Sequence, residues 1–287
     1  MGVGSLEYLK ARLRQQARCV RDRTGRVVAV LESRTVCAIA EETGWSLRDV
    51  ERTALSQDLV PIRYWRNMGL WGCCGQVRLL ESRALVAGLG GLGGLATELL
   101  ARAGVGELVL VDGDRFEESN LNRQLLATGD TVGRSKAVAA AERVRAINPA
   151  VQVIPVVGKV EELGDDLLAG AGVVLDCLDN FPSRYCLQAR CRKLRRPLVS
   201  AAIGGSMAQV MTVLPGDPGI EALYGPQPPG EGGAELVLGT PPATPAAAAS
   251  WQAQEAIWLL LGRPPALRRR MLCLDLESGC CEVLSLG

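Results

Sequence analysis

From about Glu81 to Val213 the chain alternates short β-branched or apolar runs with stretches of helical period, the pattern of a parallel sheet covered by helices. "RALVAG" at 83 to 88 reads as a buried strand entering a glycine-rich turn. "LGGLATELLARAG" at 92 to 104 then reads as a helix with Leu95, Leu99 and Ala103 on one face, ended by Gly104 and Gly106. Strand "ELVLVD" follows, then helix "SKAVAAAERVRAI" at 135 to 147, stopped by Asn148 and Pro149, then strand "VQVIPVV". A short helix near 162 to 169, strand "GVVLDCLDN", a helix at about 182 to 194 and strand "PLVSAAIGG" complete the series. The expected fold class is α/β: a Rossmann-like nucleotide-binding sheet with helices on both faces.

Two flanks depart from this pattern. Residues 1–60 read as a small, mostly helical amino-terminal appendage to a main domain at 61–287. Residues 215–245 are rich enough in Pro and Gly to form a long irregular loop. An apolar helix at about 245–261 and a hairpin at 270–286, turning at Glu277 to Gly279, finish the chain.

Composition narrows the function classes. Thirty-two basic side chains stand against 31 acids, so no global field points to nucleic acid or a membrane. The first 25 residues are charged and periodic, and no apolar run reaches bilayer length, so the expected location is cytoplasmic. Ten scattered cysteines without any C-x-x-C, and no histidine, predict reduced thiols and no zinc site.

Gly88, Gly90 and Gly93 form a G-x-G-x-x-G fingerprint, with Gly91 inside it, between a strand and a helix. Missing side chains let backbone approach a phosphate at a helix N-terminus. Asp112 ends the next strand where an acid binds ribose hydroxyls; a turn-capping Asp is the plainer reading. These features suit a nicotinamide dehydrogenase equally. However, "VDGDRFEESNLNRQ" adds Asn120, Asn122, Arg123 and Gln124, and "VGRSKA" adds Lys136 in a chain with only four lysines. Arg and Lys together suit a triphosphate better than a dinucleotide. "DCLDN" sets Asp176 and Asp179 at the carboxyl end of a parallel strand, where one carboxylate could hold Mg²⁺ against phosphate oxygens. Asp114, Glu117 and Glu118 read as a solvated turn.

Jointly, "GLGGLG", "VDGDRFEESNLNRQ", "VGRSKA" and "DCLDNFPSR" resemble the adenylyltransferases that activate ubiquitin-like proteins, the MoeB, ThiF and HesA type of molybdopterin and thiamine biosynthesis. The resemblance covers about 61 to 261. It implies that ATP and Mg²⁺ adenylate the C-terminal Gly-Gly carboxylate of a small sulfur carrier, of the molybdopterin, tungstopterin or thiamine type, with release of pyrophosphate. Gly91 and its neighbours would cradle the nucleotide, Asp112 would take the ribose, and Asn120, Arg123 and Lys136 the phosphates. Gln124 and Asn180 join that nucleotide set, and Asp179 would coordinate magnesium. "RYWRN" resembles the family's entry motif, making Arg66 the arginine that reaches the partner subunit's ATP in a homodimer. The sulfur donor is not indicated.

The chain departs from the family in two ways. The paired C-x-x-C zinc ligands are missing, and the loop at 215–245 has no Cys, so adenylation without a covalent carrier intermediate on that loop is expected. Cys177, Cys186 and Cys191 are nearest the site in sequence and read as structural. The segment "LGTPPATP" resembles the HesA variant and leads into the last helix, shaping a groove for the carrier's tail.

The other function classes are an NAD-dependent oxidoreductase, a binding module without chemistry, and a helix-turn-helix regulator of DNA. For the last, Ala40, Gly44 and Val50 have the required spacing, and Lys10, Arg12, Arg14, Arg18, Arg21, Arg23 and Arg26 surround it. Asp49 and Glu51 on the second helix oppose phosphate contact, so nucleic acid is not the expected partner.

Overall fold

The computed structural model describes residues 4–21, 25–230, 233 and 235–286. It opens with α1 (Leu6–Gln16), β1 (Arg18–Arg21), β2 (Val27–Leu31), α2 (Ser33–Thr43), α3 (Leu47–Leu55) and β3 (Val60–Pro61). Next comes α4 (Met68–Leu80), kinked where Gly72 takes φ 64°. Then come β4 (Arg83–Ala87), α5 (Gly91–Ala103), β5 (Glu107–Val111), α6 (Lys136–Ile147), β6 (Gln152–Val156), α7 (Asp165–Ala169), β7 (Val173–Asp176), α8 (Phe181–Leu194) and β8 (Leu198–Gly204). The chain closes with β9 (Met207–Val213), α9 (Glu221–Tyr224), α10 (Glu235–Leu238), α11 (Ala243–Leu260), β10 (Arg270–Asp275) and β11 (Cys280–Ser285).

Eight strands form one sheet in the order β11-β10-β9-β8-β7-β4-β5-β6. Strands β8, β7, β4, β5 and β6 run parallel, and β9 to β11 extend the sheet antiparallel. The chain winds one way from β4 to β6 and the other way from β7 onward, so a switch point lies between β4 and β7, where open sheets bind ligands. Strand β9 was absent from the pattern reading. It returns beside β8 through a two-residue turn in which Gly205 has φ 57°.

The helix after the glycine turn lies where its period predicts, but its buried face is rotated. Leu92, Ala96 and Leu100 are buried, whereas Leu95 and Leu99 are half-exposed. The rotation follows from packing: α5 is pressed both against the sheet and against Ala248, Ala249 and Ala256 of α11, which share its core. The loop at 215–245 is less irregular than its composition suggests, since it holds α9 and α10 and the start of α11. The segment near 162–169 divides into a 3-10 turn (Val160–Glu162) and α7.

The amino-terminal segment adds a three-stranded sheet, β1-β2-β3, to its helices. Gly44 caps α2 at φ 72°, and Ser46 caps α3 by accepting the Asp49 amide at 3.1 Å, so the helix-turn-helix shape is present. Its second helix faces the main domain. Arg48 donates to the Gly106 carbonyl at 3.4 Å, and Arg52 meets Glu81 at 3.3 Å. The basic side chains of α3 thus fasten one unit to the other instead of presenting a surface to phosphates. Arg23 lies outside the described residues. No described helix is long and apolar enough to cross a membrane.

Candidate functional site

The site is a cleft of about 1330 Å³ at the carboxyl ends of β4, β5, β6 and β7. Its floor is the glycine turn. Gly88 has φ 87°, and a Cβ there would lie 2.6 Å from the Cys177 carbonyl oxygen. A Cβ at Gly93 would lie 1.8 Å from the Gly88 carbonyl oxygen, so this glycine serves the close approach of helix to strand and does not line the cleft. Gly90 and Gly91 do line it.

Asp112 stands at the end of β5. Its two oxygens accept the Leu89 amide at 2.7 Å and the Asp114 amide at 2.8 Å. Burial pushes its carboxyl above the usual aspartate value, and those two backbone donors and Lys136 oppose the shift. The acid therefore braces the glycine turn while it faces the cleft.

The polar loop divides by role. Asn120 is buried and does not line the cleft; its Oδ1 accepts the Glu117 amide at 3.2 Å, and the Glu117 side chain accepts the Asn120 amide. Glu117 is thus a cap for the 3-10 turn Glu118–Asn120, a role not visible in composition. Arg123 lines the cleft and is steadied by the Ser119 carbonyl at 3.0 Å and Asn122 Oδ1 at 2.9 Å. Asn122 reaches across to the Thr240 carbonyl at 3.1 Å, joining this loop to the entry of α11. Gln124 is buried, lines the cleft, and its Oε1 has no hydrogen-bond partner. Lys136 begins α6 with its side chain only 9% exposed, and its Nζ lies 3.1 Å from Asp114 Oδ2.

The two acids of "DCLDN" separate. Asp176 is fully buried and saturated by Arg184 Nε at 3.0 Å, Ser200 Oγ at 2.7 Å and the Leu178 amide at 3.2 Å. Asp179 is exposed at the cleft, touched by Asn180 Nδ2 at 3.3 Å, and Asn180 caps α8 by accepting the Ser183 amide at 2.9 Å. A Mg²⁺ ion keeps several waters and takes one or two carboxylates plus phosphate oxygens. Asp179 fits that demand, and Asp176, held by a buried guanidinium, does not. Among the described residues no group of three or more His, Cys, Asp or Glu side chains gathers in a metal-binding arrangement.

Arg66 does not line this cleft; it is exposed, with its guanidinium 5.3 Å from the Trp65 ring centre. Pattern reading also passed over several lining residues: Lys159, Phe181, Gln209, Tyr224 and Leu238. Phe181 and Tyr224 meet edge to face at 4.9 Å, and the Tyr224 hydroxyl pairs with Gln209 Nε2. Gln209 lies on β9 and Tyr224 and Leu238 in the crossover loop, which no short motif marks, whereas Phe181 opens α8 inside "DCLDNFPSR" and Lys159 follows β6. Cys177 and Cys191 are buried and Cys186 half-buried, and burial raises all three thiols, Cys191 to about 12. The Cys177 thiol donates to Gln252 Oε1 at 3.2 Å, and Gln252 in turn donates to the carbonyls of Asp176 and Val199.

The ThiF family profile matches residues 64–285. The chain belongs to the ThiF family. The SAMP-activating enzyme E1 of Haloferax volcanii is 44% identical over 207 residues, covering 70% of this chain and 75% of the relative. The sulfur carrier protein ThiS adenylyltransferase of Escherichia coli is 42% identical over 142 residues, 49% of this chain and 57% of its own length. Nucleotidyl transfer is the reaction class of this ThiF-family enzyme. Among solved structures, E. coli MccB with ATP superposes with a TM-score of 0.67 at 18% identity, covering 88% of this chain and 82% of that one, a likeness of fold.

Proposed function

We propose that this ThiF-family chain adenylates the C-terminal Gly-Gly carboxylate of a small ubiquitin-like sulfur carrier, using ATP and Mg²⁺. The supporting observation is the continuity of one cleft. It runs from the glycine turn, Lys136, Arg123 and Asp179 to Tyr224, Leu238 and Thr240 of the crossover loop, with room for a nucleotide and an extended tail.

In this reading a carboxylate oxygen of the carrier bonds to the α-phosphorus as the bond from that phosphorus to the leaving oxygen breaks, and pyrophosphate departs. The carboxylate is already ionised at neutral pH, so the chemistry needs placement and charge neutralisation more than a general base. Backbone at Gly88, Gly90 and Gly91 receives the phosphates, Lys136 and Arg123 offset their charge, and Asp112 takes the ribose. Gln124 and Asn180 bound the nucleotide, and Asn120 holds the loop that carries Arg123. Magnesium on Asp179 would supply further charge stabilisation of the phosphates.

The same reading includes a homodimer. Arg66 is exposed and does not line its own cleft, and Leu70, Leu121, Leu125 and Trp251 leave apolar surface exposed, which a second copy would cover. The buried, raised thiols support adenylation without a covalent carrier on Cys177 or Cys191. ATP–pyrophosphate exchange with purified carriers ending in Gly-Gly tests the whole reading. Carrier-dependent exchange is expected; no exchange with any carrier, together with NAD(H) binding, overturns it. A persulfide or thioester mapped to Cys177 or Cys191 would overturn the thiol claim alone.

A further inference from the structure

We infer that Asp114 is a stand-in anion for the phosphates. It holds the Lys136 ammonium in the cleft while no nucleotide is bound, and gives it up when a polyphosphate arrives. The inference rests on the nucleotide site proposed above and adds a competing charge to it.

The geometry begins with an electrostatic conflict. Lys136 is the first residue of α6, where the helix dipole disfavours a cation, and its side chain is 9% exposed, where an unpaired charge is costly. The ion pair with Asp114 Oδ2 at 3.1 Å offsets both effects. The two residues are also held in register by backbone, since the Lys136 amide donates to the Asp114 carbonyl at 3.0 Å and Arg115 bridges Ser135. The Asp114 amide in turn donates to Asp112 Oδ1 at 2.8 Å, so the acid sits between the expected ribose and phosphate positions.

The two partners differ in accessibility. The Asp114 side chain is 70% exposed, so its carboxylate returns to water at little cost, whereas the ammonium stays behind in the cleft. A phosphate oxygen placed at the ammonium replaces the carboxylate and meets residual repulsion from it. Asp114 thereby holds the Lys136 side chain at the cleft. The repulsion falls on ligands that place phosphate oxygens at the ammonium, as ATP and tripolyphosphate would, and spares AMP, whose single phosphate does not need that position.

The test is equilibrium binding by calorimetry to the full chain in EDTA, with ATP, inorganic tripolyphosphate and AMP as probes. Asp114→Asn is expected to tighten ATP and tripolyphosphate roughly tenfold and to leave AMP within about twofold. In a Lys136→Met background the same substitution is expected to change ATP binding less than about twofold, because the competition acts through the ammonium. Unchanged or weaker ATP binding by a folded Asp114→Asn overturns the inference, and so does a tenfold gain that survives in Lys136→Met. Asp114→Ser repeats the measurement if Asp114→Asn fails to fold. These outcomes are read without a carrier, so failed pyrophosphate exchange and failed charge competition are separately visible.

Discussion

Helices α5 and α6 meet two different surroundings at their two ends. At their amino ends lie the glycine turn, Lys136 and the unpartnered amide oxygen of Gln124. At their carboxyl ends every partner is protein. Asn148, which caps α6, donates to the Ala101 carbonyl at 3.1 Å and to the Tyr64 hydroxyl at 2.9 Å. Tyr64 donates to Glu51 Oε2 at 2.8 Å, Arg63 Nε pairs with Glu51 Oε1 at 3.2 Å, and Gln76 Nε2 donates to the Ala103 carbonyl at 2.7 Å. One end holds charge and acceptors open to a cleft; the other engages its polar groups with protein partners and links Glu51 and Tyr64 to α5 and α6. Buried polar groups open to a cleft mark a ligand site, and buried polar groups engaged by protein partners mark a joint.

The largest expected effect breaks the joint. Glu51→Ala leaves the buried Tyr64 hydroxyl without its acceptor and the half-buried Arg63 guanidinium with only Asn148 Oδ1, and should destabilise the chain by about 3 kcal/mol in urea unfolding. ATP affinity should stay within about threefold; a tenfold change in folded protein would show that the two helix ends are not independent. Next, Lys136→Ala and Asp179→Ala should each lower pyrophosphate exchange by at least about 100-fold with melting temperatures nearly unchanged. A stability loss like that of Glu51→Ala would instead make Lys136 part of the framework.

Smaller effects sharpen the contrast. Gln124→Ala should weaken ATP binding by about threefold to tenfold without measurable destabilisation, because its Oε1 has no protein partner to lose. The smallest is a pH effect at the joint. Burial raises the Glu51 carboxyl above 4.5, against the pull of Arg63 and Tyr64. A folded value above the unfolded one means that the stabilising contribution is full below 4.5 and is lost as pH rises through the folded value. Relative to Glu51→Gln, the wild-type chain should therefore lose stability as the pH is raised above 4.5 in thermal melts. A constant difference across that range would remove Glu51 as the titrating group.

Much of the parallel half was legible because its signals are local. The glycine spacing, Asp112 at a strand end, and Lys136 after a Gly turn each constrain a few adjacent residues. The β9 strand and the lining contributed by Gln209, Tyr224 and Leu238 were not legible, because those residues acquire their place through pairing with β8 and through Thr244, which donates to the Gly205 carbonyl at 2.8 Å. The rotated face of α5 has the same origin. Its period was readable, but which leucines are covered depends on α11, more than 140 residues further along the chain.

By itself, then, the sequence determined the alternation of strands and helices, the glycine turn between β4 and α5 and the list of polar side chains around it. Tertiary structure decided which of those side chains are available. Asp176 and Asp179 end the same strand three residues apart, yet Arg184 and Ser200 engage the first and leave the second at the cleft. Asp114 looked like a solvated turn residue until Lys136, 22 positions away, was found beside it. Availability depends on which distant groups satisfy a charge, and only the folded arrangement of elements sets those distances.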